Sequence, residues 1–146
     1  MNNAAVVKAL LTAGADVNAQ KNHDGSSPLM QAAWRGNNQV LPLLLAAGAK
    51  VDAQDLQGQT ALMYTVSGKK QQPESVKALL KAGAKVNMVD QAGNTALMDA
   101  AVYNYANSAK LLLAAGADKN LKNKNGKTAL DLAKMEKAQA SIKLLQ

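Results

Sequence analysis

The stretch Asp55-Leu56-Gln57-Gly58-Gln59-Thr60-Ala61-Leu62-Met63 returns later in the chain as Asp90-Gln91-Ala92-Gly93-Asn94-Thr95-Ala96-Leu97-Met98. Its glycine belongs to a set, Gly25, Gly58, Gly93 and Gly126, spaced by 33, 35 and 33 residues. Four positions after each glycine stands a leucine: Leu29, Leu62, Leu97 and Leu130. A third marker, a Gly-Ala pair, begins at Gly14, Gly48, Gly83 and Gly116, in steps of 34, 35 and 33. Three markers on one period mean that the chain repeats a supersecondary unit, and such units stack.

The chemistry inside the period defines the unit. Before each Gly-Ala pair, Val7/Leu10/Leu11, Leu41/Leu44/Leu45, Val76/Leu79/Leu80 and Ala109/Leu112/Leu113 recur at i, i+3, i+4. That spacing draws one apolar stripe along a helix, and the glycine that follows is suited to the left-handed residue that ends it. Ser27, Thr60, Thr95 and Thr128 precede a second apolar segment; their hydroxyls can accept the orphan N–H groups of a helix start. Pro28 then falls at the first helical position, where a missing N–H costs nothing. Between Gly-Ala pair and turn glycine lie segments rich in turn formers, such as His23-Asp24-Gly25 and Asn125-Gly126, read as extended arms that reverse at a tight turn. Helices this short are marginal alone, so neighbouring units must supply one another's core.

These residues resemble the ankyrin repeat, whose pattern is roughly Asp-x-x-Gly-x-Thr-Pro-Leu-His-x-Ala-Ala followed by Leu-Leu-x-x-Gly-Ala-Asp-x-Asn; the second half stands here as Leu10-Leu11-Thr12-Ala13-Gly14-Ala15-Asp16-Val17-Asn18. The resemblance covers essentially the whole chain. It implies an all-α solenoid of stacked helix pairs with β-hairpin or turn arms: a half repeat over 1–24, repeats over 25–57, 58–92 and 93–125, and a capping repeat over 126–146. A tetratricopeptide array has a similar period, but its longer helices leave no room for the arms. The sequence departs from the family where the histidine is replaced by Met30, Met63, Met98 and Asp131, so the hydrogen bond that histidine supplies must be absent or made otherwise. One extra residue lies in the first arm before Gly25, two lengthen the link Gly68-Lys69-Lys70-Gln71-Gln72-Pro73, and Pro42 implies a helix starting late, near Val40.

At the N-terminus only the second helix of a repeat is legible, over about residues 3 to 13. Either a further helix lies upstream, which leaves room for a cleaved signal peptide as well, or the stack starts on a truncated cap; poor cover over Val6, Val7 and Leu10 favours the former. At the other end Lys134, Glu136, Lys137 and Lys143 give the last repeat the polar outer face of a cap.

Composition excludes several classes. The 146 residues fit one domain, and with no Phe, one Trp and three Tyr the core must be built from Ala and Leu. The absence of Cys removes disulfides, thiolate nucleophiles and zinc–thiolate sites. No apolar run approaches the ~20 residues of a membrane span. Compartment stays open, cytoplasmic by default and periplasmic or secreted if a signal was removed. The net charge of +7 favours an acidic partner.

Catalytic chemistry is hard to find. His23 is the single histidine and sits beside an arm turn, with no second imidazole or thiol to share a metal. Gly126-Lys127-Thr128 looks like the end of a P-loop, but Leu121 stands where that motif needs glycine. Asp118-x-Asn120 starts like a calcium loop that Lys122 then spoils. No carboxylate pair suggests acid–base work. The expectation is a monomeric binding protein with no cofactor, no metal and no enzymatic activity.

In ankyrin proteins the partner usually sits on the concave face made by arm tips and first helices. Carried onto this chain, the resemblance points to His23, Gln31, Trp34, Arg35, Leu56, Gln57, Tyr64, Gln91, Asp99, Tyr103, Lys122 and Lys124, with Gln20 also on that face. Trp34 and Arg35 are the leading anchors, since Trp, Tyr and Arg dominate hot spots. Tyr64 has a competing use as packing between repeats, whereas Trp34 and Tyr103 are read as equivalent positions near helix ends. The late lysines, Lys119, Lys122, Lys124 and Lys127, read first as a solubilising end. The favoured function is a protein–protein interaction module that masks or scaffolds its target. The alternatives are an inhibitor or immunity-type protein blocking an enzyme or toxin, and a basic module docking on polyanions. Nucleic acid is the poorer polyanion, for want of interleaved aromatics.

Overall fold

In the computed structural model, which describes residues 3–68 and 70–146, four helix pairs follow a single helix. The helices are α1 (Asn3–Thr12), α2 (Pro28–Arg35), α3 (Val40–Ala46), α4 (Ala61–Ser67), α5 (Pro73–Lys81), α6 (Ala96–Val102), α7 (Ala106–Ala114), α8 (Ala129–Met135) and α9 (Gln139–Leu145). An inner row packs α2 on α4, α4 on α6 and α6 on α8; an outer row packs α1 on α3, α3 on α5, α5 on α7 and α7 on α9. The interior is continuous along the stack. Leu29, Leu62 and Leu97 from the inner row and Leu41, Leu79 and Leu112 from the outer row are all essentially inaccessible to solvent. Each such leucine contributes roughly 1.5–3 kcal/mol by leaving water.

The local signals act as the residues dictate. Ser27, Thr60, Thr95 and Thr128 accept hydrogen bonds from the backbone N–H of Met30, Met63, Met98 and Asp131, at 3.4, 3.4, 3.3 and 3.2 Å. Where the family has histidine, two substitutes appear. Met30 offers its sulfur to the Ser27 N–H at 3.3 Å, and Asp131 accepts from the Thr128 N–H and hydroxyl at 3.0 and 2.8 Å. Met30, Met63 and Met98 are otherwise core residues, fully buried. Pro42 lies in the first turn of α3, which begins at Val40, so its lost donor breaks no helical bond. The lengthened link before Pro73 includes Lys69, which lies outside the described residues, as does Met1.

The arms are turns and not hairpins: no strand forms among the described residues. In the second arm the Asp55 N–H donates to Gln59 O and the Gly58 N–H to Asp55 O, both at 3.0 Å, with the same closure in the third and fourth arms. Each arm then gives one backbone bond to the arm before it: the N–H groups of Leu56, Gln91 and Lys124 donate to the carbonyls of Asp24, Gln57 and Ala92 at 3.0, 2.8 and 3.0 Å. One bond per neighbour is too little for a ladder, yet it locks the arms in file. A second seam runs below. Asn18, Asp52 and Asn87 accept from the N–H groups of Lys50, Lys85 and Asp118 at 2.8, 2.9 and 2.9 Å.

This close file explains the turn glycine. Gly58 has φ +77°, and a Cβ there would meet the next arm, 3.1 Å from Gln91 N. Gly126 has φ +71° but no following arm, and a Cβ would meet nothing within 4 Å. Gly126→Ala should therefore cost only the left-handed strain, about 1 kcal/mol, and Gly58→Ala at least about 1 kcal/mol more from displacing the neighbouring backbone. Urea unfolding of both variants measures this; equal losses would remove the arm contact as a source of stability.

Candidate functional site

Most of the exposed large apolar residues among those described lie on the arms (Leu56 and Val89) or at the C-terminal ends of the inner helices (Trp34, Tyr103 and Met135). Trp34, at the end of α2, is 44% exposed, and Tyr103, just after α6, is 50% exposed. Leu56, on the second arm tip, is 62% exposed, with Gln57 beside it open to solvent. His23 and Arg35 join Lys21, Asp24 and Gln31 around an open depression of about 650 Å³. Lys122 and Lys124 are exposed on the last arm.

Other residues that the resemblance points to have structural work. Tyr64 is buried, and its hydroxyl donates to Asp55 Oδ2 at 2.8 Å; burial first, and the Asp55 hydrogen bond second, raise its pKa and keep it a donor. It braces the arm turn. Gln31 donates to Ser26 Oγ at 2.8 Å. Gln91 is exposed, but its amide donates to Leu56 O at 2.6 Å, tying two arms together. Gln20 does the same between Gly25 O and Gln54 O, at 2.7 and 2.9 Å. Trp34 and Tyr103 are not equivalent. Counted from the caps Ser27 and Thr95, Trp34 aligns with Val102 and Tyr103 with Arg35. Tyr103 stacks on Tyr105, with centroids 5.7 Å apart, and the Tyr105 hydroxyl donates to Gly68 O at 2.6 Å, which fixes the platform. Sequence reasoning missed Val89, an exposed apolar residue in the arm column otherwise held by Gln20, Gln54 and Lys122; that break in a polar column was its signal.

Asp99 occupies in α6 the position that Tyr64 occupies in α4. Where Tyr64 reaches an arm aspartate, Asp99 brings a second carboxylate, and its Oδ2 is shielded from solvent without a hydrogen-bond partner. Burial first, and the charge of Asp90 second, push its pKa up to about 7. The Asp90/Asp99 pair lies nine residues apart in sequence and carried no motif there.

A largely apolar groove of about 400 Å³ opens at the α1 end, between α1, α2 and α3, and shares Gln31 and Arg35 with the depression at His23. Among the described residues no cluster of three or more His, Cys, Asp or Glu side chains could hold a metal ion, and no helix is long and apolar enough to cross a membrane.

The family model for ankyrin repeats matches the chain three times, over residues 1–90, 29–123 and 66–146. No curated protein matches it.

The Asp99 environment has a pH signature. A carboxyl with a raised folded pKa binds more protons folded than unfolded, so its contribution to stability is present below about pH 4 and is lost as pH rises towards 7. Asp99→Asn, which keeps the shape and removes the charge, should be close to neutral at pH 4. At pH 8 it should stabilise the fold by on the order of 2 kcal/mol, each tenfold change in proton affinity being worth at most about 1.4 kcal/mol. Urea unfolding at the two pH values checks it; the same difference at both would contradict the account.

Proposed function

Because the chain belongs to the ankyrin-repeat family, whose repeats are protein–protein interaction modules and whose fold is typically non-catalytic, we propose that it holds a partner protein on the face formed by its arm tips and inner helices. The observation that carries this reading is the pair of exposed aromatics, Trp34 and Tyr103, held by the Gln72 amide that donates to Trp34 O and by Tyr105, which stacks on Tyr103 and donates to Gly68 O. Large rigid side chains bind at low entropic cost when their scaffold is ordered beforehand. Leu56 and Val89 extend the apolar surface along the arms. Lys21, Arg35, Lys122 and Lys124 surround it, and these positive groups favour an acidic partner through long-range attraction.

Tyr64, Gln31 and Gln91 act in this reading as supports and not as contacts, since their polar ends are engaged within the fold. His23 adds an exposed edge to the depression beside Arg35. Whether the bound partner is scaffolded or inhibited depends on which of its surfaces this face covers.

The test uses the tagged chain to capture a partner from a lysate of the source organism, followed by titration of that partner. Trp34→Ala with Tyr103→Ala should weaken binding by about 2 kcal/mol or more, roughly thirtyfold. The melting temperature should shift by no more than a few degrees, as expected for exposed side chains. Unchanged affinity would take both residues out of the interface.

A further inference from the structure

Nine of the ten glycines hold a positive φ, and Gly68, at −75°, is the exception. Any residue adopts that angle, so what glycine supplies there is room. A Cβ on Gly68 would lie 3.2 Å from Trp34 O and 3.8 Å from Trp34 Cδ1. From the unit on the other side, the Tyr105 hydroxyl reaches Gly68 O. Trp34 and the Tyr103/Tyr105 stack thus close in on the link between them. Beside Trp34, the links after α2 and α4 leave a depression of about 250 Å³, whose lining includes Arg35, Asn38, Lys70, Gln71, Gln72 and Glu74. Its walls belong to two adjoining units, both with their helix pairs in place. Its charge is unbalanced. Glu74 pairs with Lys77 at 3.0 Å, whereas Arg35 and Lys70 are exposed and have no hydrogen bond or ion pair among the described residues.

We propose that this edge recognises a short acidic segment of the partner protein, with a carboxylate seated between Arg35 and Lys70 and flanking apolar side chains laid on Trp34 and Tyr103. The inference rests on the partner-binding reading above and narrows it to the link ends of the inner helices. A carboxylate is the group that the depression suits. The guanidinium offers a planar fork of N–H donors and the ammonium a second charge, and neither has to be released from an internal partner first. The aromatics set the length of the segment. Neighbouring helices pack about 8–10 Å apart, so Trp34 and Tyr103, two units apart, are separated by no more than about 20 Å, which about six extended residues span.

Trp34 is the single tryptophan, so its fluorescence reports occupancy directly. The probe is a synthetic peptide of about ten residues in which two leucines flank a run of Glu and Asp; its control carries Gln and Asn in place of the acids. The acidic peptide should shift the Trp34 emission to saturation, with a dissociation constant that rises with salt, and the control should bind at least about tenfold more weakly. Arg35→Gln with Lys70→Gln should weaken the acidic peptide about fivefold or more, with an unchanged far-ultraviolet spectrum because both side chains are exposed. Lys122→Gln with Lys124→Gln, which removes the same charge from the last arm, should leave the affinity within about twofold. Unchanged Trp34 emission, equal binding of the control, or equal losses from the two pairs of substitutions overturns the proposal. A captured partner that binds the Arg35→Gln, Lys70→Gln variant at full strength also overturns it and leaves the broader reading standing. Unchanged partner affinity after Trp34→Ala with Tyr103→Ala removes the broader reading and this proposal with it.

Discussion

Helices of seven to ten residues cannot hold themselves together in water, because nucleation consumes most of what so few hydrogen bonds return. Every other feature follows from that constraint. Each helix must be roofed by one in the next unit, so buried residues recur at fixed places and the core is a line and not a ball. The same constraint accounts for the alanines. Ala33, Ala100, Ala101, Ala109 and Ala133 are completely buried, and their small side chains let backbones pack closely. At α1, which packs on α3 with no inner helix of its own unit among the described residues, the stripe stays open.

Polar bonds give the stack its register. Apolar burial is non-directional and would tolerate sliding between units. Two seams forbid it: the single backbone bond between successive arms, and the Asn18, Asp52 and Asn87 side chains that catch the N–H groups of the following unit. Gln20, Gln54 and Gln91 add amide ties between arms. Arms made of loops are thereby held nearly as firmly as helices, and Leu56 projects from an arm that is already ordered.

The period, the caps, the left-handed glycines and the late start of α3 were readable because each is a local property repeated several times. Four copies of Ser/Thr before an apolar segment leave little freedom, and the backbone bonds at Ser27, Thr60, Thr95 and Thr128 follow. The site was less legible, since its residues are sorted by partners some 30 positions away. Nothing near Gln91 reveals that its amide ends on Leu56 O, 35 residues back, or that Tyr105 is anchored by Gly68. A one-residue offset hid the true alignment of Trp34 with Val102. Tyr64 and Trp34 are both aromatic residues on inner helices, yet an arm aspartate in reach of Tyr64 makes one a brace and leaves the other free. Asp99 stands in the same column as Tyr64, and only the stacked arms show that it faces a second carboxylate.

That each unit's interior is supplied by its neighbours is tested most directly by native-state hydrogen exchange. Protection should be greatest in α4 to α7, which have neighbours on both sides, and should decline towards α1 and α9. The arm amides of Leu56, Gln91 and Lys124 should exchange with the helices they join and not as free loops. A single uniform protection factor from end to end, with those three amides exchanging as fast as open chain, would contradict the account.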